Sequence, residues 1–316
     1  MFERERAPFL KRPPPTFVPT EHSSSHPGVI DPAAIDRYAA AMGPIIRRMW
    51  PTSFHDLDRL PHDDRILIVA NHSGMGAAEL WALALAWYER FGVTRPIAGM
   101  AHPAGFRVPI LREALQGMGA VEATRIGAAK ARQAGVPLLL FPGGDIEATR
   151  PFWQADRVDF AGRKGWIRLA REHGLTIVPL CISGSHITLP ILASGRAIAW
   201  MTGLRALGTH RAPLPALALL TSTLSFAAAR ALGFSRPVSL FAAWASVWPT
   251  VMLPWVPSRI GFHFLPPIPA AEVAVADDDA LYDRVVGALG RTLRDANASA
   301  RSDRASEPSR PLVRDG

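Results

Sequence analysis

The 316-residue chain has one cysteine, Cys181, so it can build neither an internal disulfide framework nor a cysteine-rich zinc site. Set in the apolar run "TIVPLCISG", that thiol is expected to be packed in the core. The first residues, "MFERERAPFLKRPPPTFVPTEHSSSHPG", hold no apolar stretch of the kind a secretory signal needs, and they read as a Pro/Ser-rich arm. Between Glu172 and Glu272 there is no Asp, Glu or Lys. The charge there is purely arginine: Arg196, Arg205, Arg211, Arg230, Arg236 and Arg259. No internal repeat is present.

What the chain does have is a core-forming composition. Hydrophobic residues make up 48% and charged residues 20%, which excludes a disordered chain. The net charge of +8 favours anionic partners. Most of that excess comes from the acid-free stretch, which also carries Trp200, Trp244, Trp248 and Trp255. Arginine with tryptophan on a Leu/Ala background is the composition of a membrane interface, where indole suits headgroup depth and guanidinium suits lipid phosphate. A nucleic-acid surface would carry more Lys and polar groups, so no nucleic-acid partner is expected. Two runs are the most apolar, 213–234 and 237–257. The first is interrupted by hydroxyl residues and Arg230, the second by Pro249 and Pro254, whereas a spanning helix needs about 20 predominantly apolar residues. Both are read as shallow or re-entrant membrane-facing elements.

Along the chain, Asp31 and Pro32 mark the start of a helix. Its Ile45, Ile46, Met49 and Trp50 beside Arg47 and Arg48 suit a basic amphipathic surface helix. The segment "HDLDRLPHDD" reads as a solvated loop rather than a metal site, and no metal is expected. Strands follow at "RILIVA", "RPIAGMA", "GVPLLL", "LTIVPLCIS" and, late, "IGFHF", with helices between them. That alternation predicts an α/β fold: a mostly parallel central sheet flanked by helices, with an apolar Arg/Trp-rich membrane-facing insertion. The expected organisation is an arm over 1–30, one domain over 31–297 with the insertion at about 200–257, and a disordered tail over 298–316.

In such sheets, sites form where strands end and helices begin. His72 follows a strand in "RILIVANHSGMGAAEL", and Glu79 comes seven residues later. If the helix begins near Ala77, Glu79 lies in its first turn and can reach back to the imidazole. A carboxylate on one ring nitrogen fixes the tautomer and raises the basicity of the other, giving a dyad able to take a proton from a hydroxyl. The bland reading of Glu79 is an acid complementing the helix dipole. After the strand "VPLLL", the segment "FPGGDIE" brings Pro142, Gly143, Gly144, Asp145 and Glu147. Its glycines allow close backbone approach and amide donation to a phosphate or oxyanion. Asp145 and Glu147 read either as ligands to an acceptor or as buttresses of the loop. Arg125, ending "GAVEATR", is a candidate phosphate ligand or an ordinary surface cation.

The order and spacing of these blocks resemble the glycerolipid (lysophospholipid) acyltransferases. "VANHSG" is similar to the family's first block, "GAVEATR" to its second, "FPGGD" to its third and "IVPLCISG" to its fourth. Two positions depart from the commonest pattern. The first-block Asp position, separated from the histidine by four residues, is Ala77, and Glu79 matches the longer spacing of some bacterial and diacylglycerol-acyltransferase-like branches. The third-block Glu is Gly143, with Glu147 as a substitute. The resemblance implies His72 as general base oriented by Glu79, and Arg125, Pro142, Gly143, Gly144, Asp145 and Glu147 as substrate-binding. It further implies an acyl thioester donor, acyl-CoA or acyl-ACP, a lipid acceptor, no resident cofactor, and association with an anionic membrane surface at the cytoplasmic face. Two alternatives stand beside it. One is a lipid-binding protein of the same fold with impaired catalysis, motivated by the two departures. The other is a serine hydrolase, for which Ser185 lacks the glycine frame of an elbow, Gly-x-Ser-x-Gly, that occurs nowhere in the chain.

Overall fold

The computed structural model describes residues 28–74, 78–207 and 209–306. The expected arm lies almost wholly outside these residues, as does the tail beyond 306. Helix α1 (Pro32–Met49) opens as the sequence predicts, with the Asp31 carboxylate accepting the Ala33 amide at 3.0 Å. Strand β1 (Thr52–His55) and β2 (Ile66–Ala70) follow, then α2 (Ala78–Phe91), β3 (Ala98–Ala101), α3 (Pro109–Gly117), β4 (Val121–Glu122) and α4 (Arg125–Gln133). Next come β5 (Leu138–Leu140), α5 (Gly144–Ala148), α6 (Gly165–His173) and β6 (Thr176–Ser183). The acid-free stretch forms β7 (Ile191–Gly195), α7 (Arg196–Met201), β8 (Ala212–Pro215), α8 (Ala216–Ala231) and α9 (Arg236–Val247). The chain returns through β9 (Ile260–Phe264), α10 (Ala270–Val275) and α11 (Asp278–Ser306).

Seven strands make one sheet in the order β1-β9-β6-β2-β5-β3-β4. From β6 through β4 every pairing is parallel, β9 is antiparallel to β6, and β1 runs parallel to β9. Alternation along the strands divides the core in two, as a sheet covered on both faces requires. On β2, Leu67 and Val69 join a cluster with Trp166 and Ile167 of α6 and Leu289 of α11. Ile66, Ile68 and Ala70 face the other way, onto Ile46 of α1 and Ala82 and Leu85 of α2. The sheet is therefore sandwiched between helices. Burying each such Leu or Ile side chain is worth about 1.5–3 kcal/mol. Cys181 is fully buried in the first cluster, and burial followed by the nearby Glu147 carboxylate pushes its thiol up to about 12.

Several expectations are corrected. Ile46 and Trp50 are core residues at 1% and 5% exposure, so α1 packs on the sheet, and of its four expected surface apolar residues only Ile45 stands clear, at 50%. The "HDLDRLPHDD" segment is not all loop: His55 ends β1 and stacks on His263 of β9, ring centroids 4.3 Å apart. The terminal helix continues nine residues past the expected boundary at 297, held by Asn297 and Arg301, which both bond Asp156. The pair of apolar runs at 213–257 forms a helical hairpin, α8 packed on α9, beside the two-stranded β7–β8 sheet. No described helix is long and apolar enough to cross a membrane.

Candidate active site

The site lies at the carboxyl edge of β2 and β5, central neighbours in the sheet. Asn71, one residue beyond β2, extends the pairing with its side chain. Its Nδ2 donates to the Ile182 carbonyl at 2.9 Å and its Oδ1 accepts the Ile182 amide at 2.7 Å. This pins the loop start to β6. His72 follows, and Glu79 stands in the first turn of α2, fully buried. His72 Nδ1 and Glu79 Oε1 are 2.6 Å apart, and the same oxygen accepts the Ser73 amide at 3.0 Å. An ionised carboxylate can only accept, so Nδ1 carries the proton and Nε2 holds the lone pair. Nε2 forms no hydrogen bond within the described residues, and the His72 side chain is 16% exposed. Its ring packs on Phe141 with centroids 5.0 Å apart.

A second buried acid holds the loop from behind. Glu147 is at 0% exposure in α5, which hangs from the end of β5. One oxygen accepts the His72 amide at 3.0 Å and the other the Asp159 amide at 3.0 Å. Burial raises its carboxyl to about 7, against the opposing pull of Arg150 and of those two amides. Arg150, 5% exposed, sits 3.6 Å from Glu147 and donates to the His72 carbonyl at 3.4 Å. Both oxygens of Glu147 are thus spent inside the protein, which corrects its assignment to substrate: it is the buttress of the His72 loop.

The glycine pair is shaped by the same acid. A Cβ at Gly143 would fall 2.2 Å from the Glu147 Cγ, so the buried carboxylate occupies the space of a side chain there. Gly144 adopts φ +50° and donates its amide to the Phe141 carbonyl at 3.1 Å. That amide closes a turn and is withdrawn from the expected oxyanion role. Pro142 is buried, and its carbonyl and that of Gly143 accept from Arg163 at 3.3 and 2.8 Å. Arg163 also pairs with Asp145 at 2.9 Å. Asp145 keeps the turn in place and is 26% exposed. Nothing in the sequence pattern singled out Arg163 or Arg150, whose roles depend on contacts 18 to 78 residues away.

Arg125 is exposed as the first residue of α4, behind a Thr124 cap that accepts the Gly127 amide at 3.0 Å. It lines a hollow of about 230 Å3 with Arg168 and Glu172. β4 lies three strand spacings from β2, roughly 14 Å at about 4.8 Å each, so Arg125 shares the sheet edge with His72 without touching it. On the β5 flank of the dyad, Phe141, Trp87, Leu83, Met100 and Ile35 line an apolar cavity of about 140 Å3. The pair Ser185–His186 is no nucleophile and base: Ser185 bonds Ser73, and His186 Nε2 bonds the Pro151 carbonyl at 3.0 Å.

Residues 52–183, from β1 to the end of β6, match the model of the Acyltransferase family. Among curated proteins, an uncharacterized protein of Mycobacterium leprae is 27% identical over 168 residues, 52% of this chain and 46% of that protein. An uncharacterized protein of Mycobacterium tuberculosis is 26% identical over 170 residues, 52% of this chain and 48% of its own length. The match spans about half the length of these relatives. Among solved structures, the 1-acyl-sn-glycerophosphate acyltransferase PlsC of Thermotoga maritima is similar with a TM-score of 0.49 and 14% identity, over 84% of this chain and 80% of that one.

Proposed function

We propose that the protein transfers a fatty acyl group from a thioester donor, acyl-CoA or acyl-ACP, to a hydroxyl of a glycerolipid-type acceptor at an anionic membrane surface. The observation that carries this reading is the 2.6 Å contact between His72 Nδ1 and Glu79, which leaves Nε2 as a base with no described protein partner. The acceptor hydroxyl gives its proton to Nε2 as its oxygen attacks the thioester carbonyl carbon. Glu79 stabilises the imidazolium that forms. As the tetrahedral intermediate collapses the C–S bond breaks, and the imidazolium returns the proton to the departing thiolate. General-base catalysis of this kind contributes about 10² to 10⁴ in rate. Of the glycine pair, only the Gly143 amide remains assigned to the oxyanion.

The acyl chain enters the apolar cavity beside Phe141, whose ring touches both that space and the imidazole. Arg125 holds a phosphate on the acceptor. The α8–α9 hairpin seats the protein in the lipid interface. Its Leu224, Leu240, Phe241 and connecting Leu232 stand 58%, 61%, 65% and 76% exposed, an apolar surface that water disfavours, and Arg230 and Arg236 flank its tip. Mass spectrometry of lipids after incubating membranes and labelled acyl donor with wild type and with His72→Ala tests the reading. A new acyl lipid made by wild type alone supports it, and equal product from both refutes it.

A further inference from the structure

On the β6 flank of the 71–74 loop, opposite the apolar cavity, lies a second, larger and half-open space of about 620 Å3 that none of the steps above uses. Asn71 and Ser73 line it beside the ends of α1 and β6, the start of β9 and the last turns of α11. Four arginines line it, Arg48, Arg150, Arg259 and Arg301, together with Asp303. Arg301 is paired with Asp156. Arg48 and Arg259 form no ion pair among the described residues. Arg150, 5% exposed, has no hydrogen-bond partner for Nε or Nη1. His186, also 5% exposed, donates from Nε2 to the Pro151 carbonyl and has no partner for Nδ1.

Each unmet buried polar group costs about 1–3 kcal/mol, and native proteins hold few of them. Arg150 and His186 keep their unmet atoms buried behind the wall, while Arg48 and Arg259 stand exposed on it with no ion partner among the described residues, and that surplus of guanidinium around one space marks a place suited to an anion. We propose that this cavity binds a small molecule through a phosphoryl group, clamped by Arg48 and Arg259. Planar guanidinium forks match phosphate oxygens in pairs, and the two positive charges left after Asp303 and Asp156 are counted suit a dianion better than a carboxylate. The space falls in the range of small-molecule and cofactor sites and far exceeds a bare ion.

Two molecules of the proposed reaction carry such a group, the nucleotide end of a coenzyme A donor and the headgroup of a phosphorylated acceptor. Choosing between them rests on the acyl-transfer reading, whereas the phosphoryl site does not. The test is calorimetric titration of the full chain with coenzyme A and, separately, with glycerol 3-phosphate, neither of which turns over alone. Wild type, Arg125→Ala, His72→Ala and the exposed pair Arg48→Ala/Arg259→Ala are compared. Saturable binding of one probe, weakened at least about tenfold in the double variant and retained in the other two, is the expected result. Coenzyme A binding then assigns the site to the donor, and glycerol 3-phosphate binding to the acceptor. No binding of either probe, unchanged binding in the double variant, or loss confined to Arg125→Ala overturns the proposal. An active His72→Ala enzyme that still binds the probe would refute the acyl-transfer mechanism and leave this site standing.

Discussion

Glu147 fills the space that a side chain on Gly143 would need: a Cβ there would lie 2.3 Å from Oε2 and 2.2 Å from Cγ. The glycine and the acid are thus one device. In the resemblance drawn from the sequence, the third block usually carries its Glu at the Gly143 position. Here the carboxylate arrives from four residues downstream and reaches the His72 amide from inside.

Gly143→Ala is therefore expected to destabilise the protein by about 1–3 kcal/mol, as overpacking does, and to lower turnover by displacing Glu147 from the His72 amide. Gly143→Glu alone should be inactive. Combining it with Glu147→Ala should recover part of the lost stability by removing the clash. Thermal denaturation of the three variants checks this, and a double variant no better than the single would break the link.

At the dyad, His72→Ala should reduce acyl transfer by at least about 10²-fold with little change in melting temperature, because the ring makes no backbone contact that holds the fold. Glu79→Gln keeps an acceptor for the Ser73 amide but loses the charge that stabilises the imidazolium. Its kcat should fall about 10- to 100-fold while KM changes little. Single-turnover assays with a labelled thioester separate the two.

Glu147 also makes stability depend on pH. Its folded value of about 7 lies above the 4.5 of an ordinary carboxyl, so between these limits the folded chain holds a proton that the unfolded chain has released. Stability from this group is complete below about 4.5 and declines as pH rises through 7, by about 3–4 kcal/mol at roughly 1.4 kcal/mol per tenfold change in proton affinity. Glu147→Gln cannot ionise and accepts only one of the two amides well. It should be less stable at pH 5 yet lose less of its stability between pH 5 and pH 8. Denaturant titration at both values measures the slope, and a parallel decline in the two proteins would refute the assignment.

Membrane docking through α8 and α9 is tested on the exposed face alone. Leu240→Ser with Phe241→Ser should leave the melting temperature within about 1 °C, since both side chains project into solvent. Co-sedimentation with vesicles containing anionic lipid should drop several-fold. Wild-type binding should weaken with salt to the extent that Arg230 and Arg236 contribute.

The parallel sheet was legible because strands covered on both faces read as unbroken apolar runs, "ILIVA", "LLL" and "IVPLCIS". The dyad was legible because its partners are seven residues apart, within one strand–turn–helix. Helix α4 was not, since its buried face is Gly127, Ala128 and Ala131, too small to signal against three basic residues. Nor was α1 assigned to the right surroundings: a basic amphipathic pattern looks the same whether its apolar stripe meets lipid or a sheet. The supports of His72 were the least visible. Asn71 bonds Ile182, Glu147 bonds His72 and Asp159, and Arg163 bonds the Pro142–Gly143 turn, and each link joins segments that only folding brings together.

Asn71 fixes more than a loop end. By tying the residue before His72 to β6, it makes four residues of chain a rigid partition, with a greasy chamber on one side and a cationic one on the other. A molecule reaching into both must lie across that divide with its middle at the imidazole. On the proposed reading, the fold acts as a gauge of span, sorting ligands by the distance between oily tail and charged head.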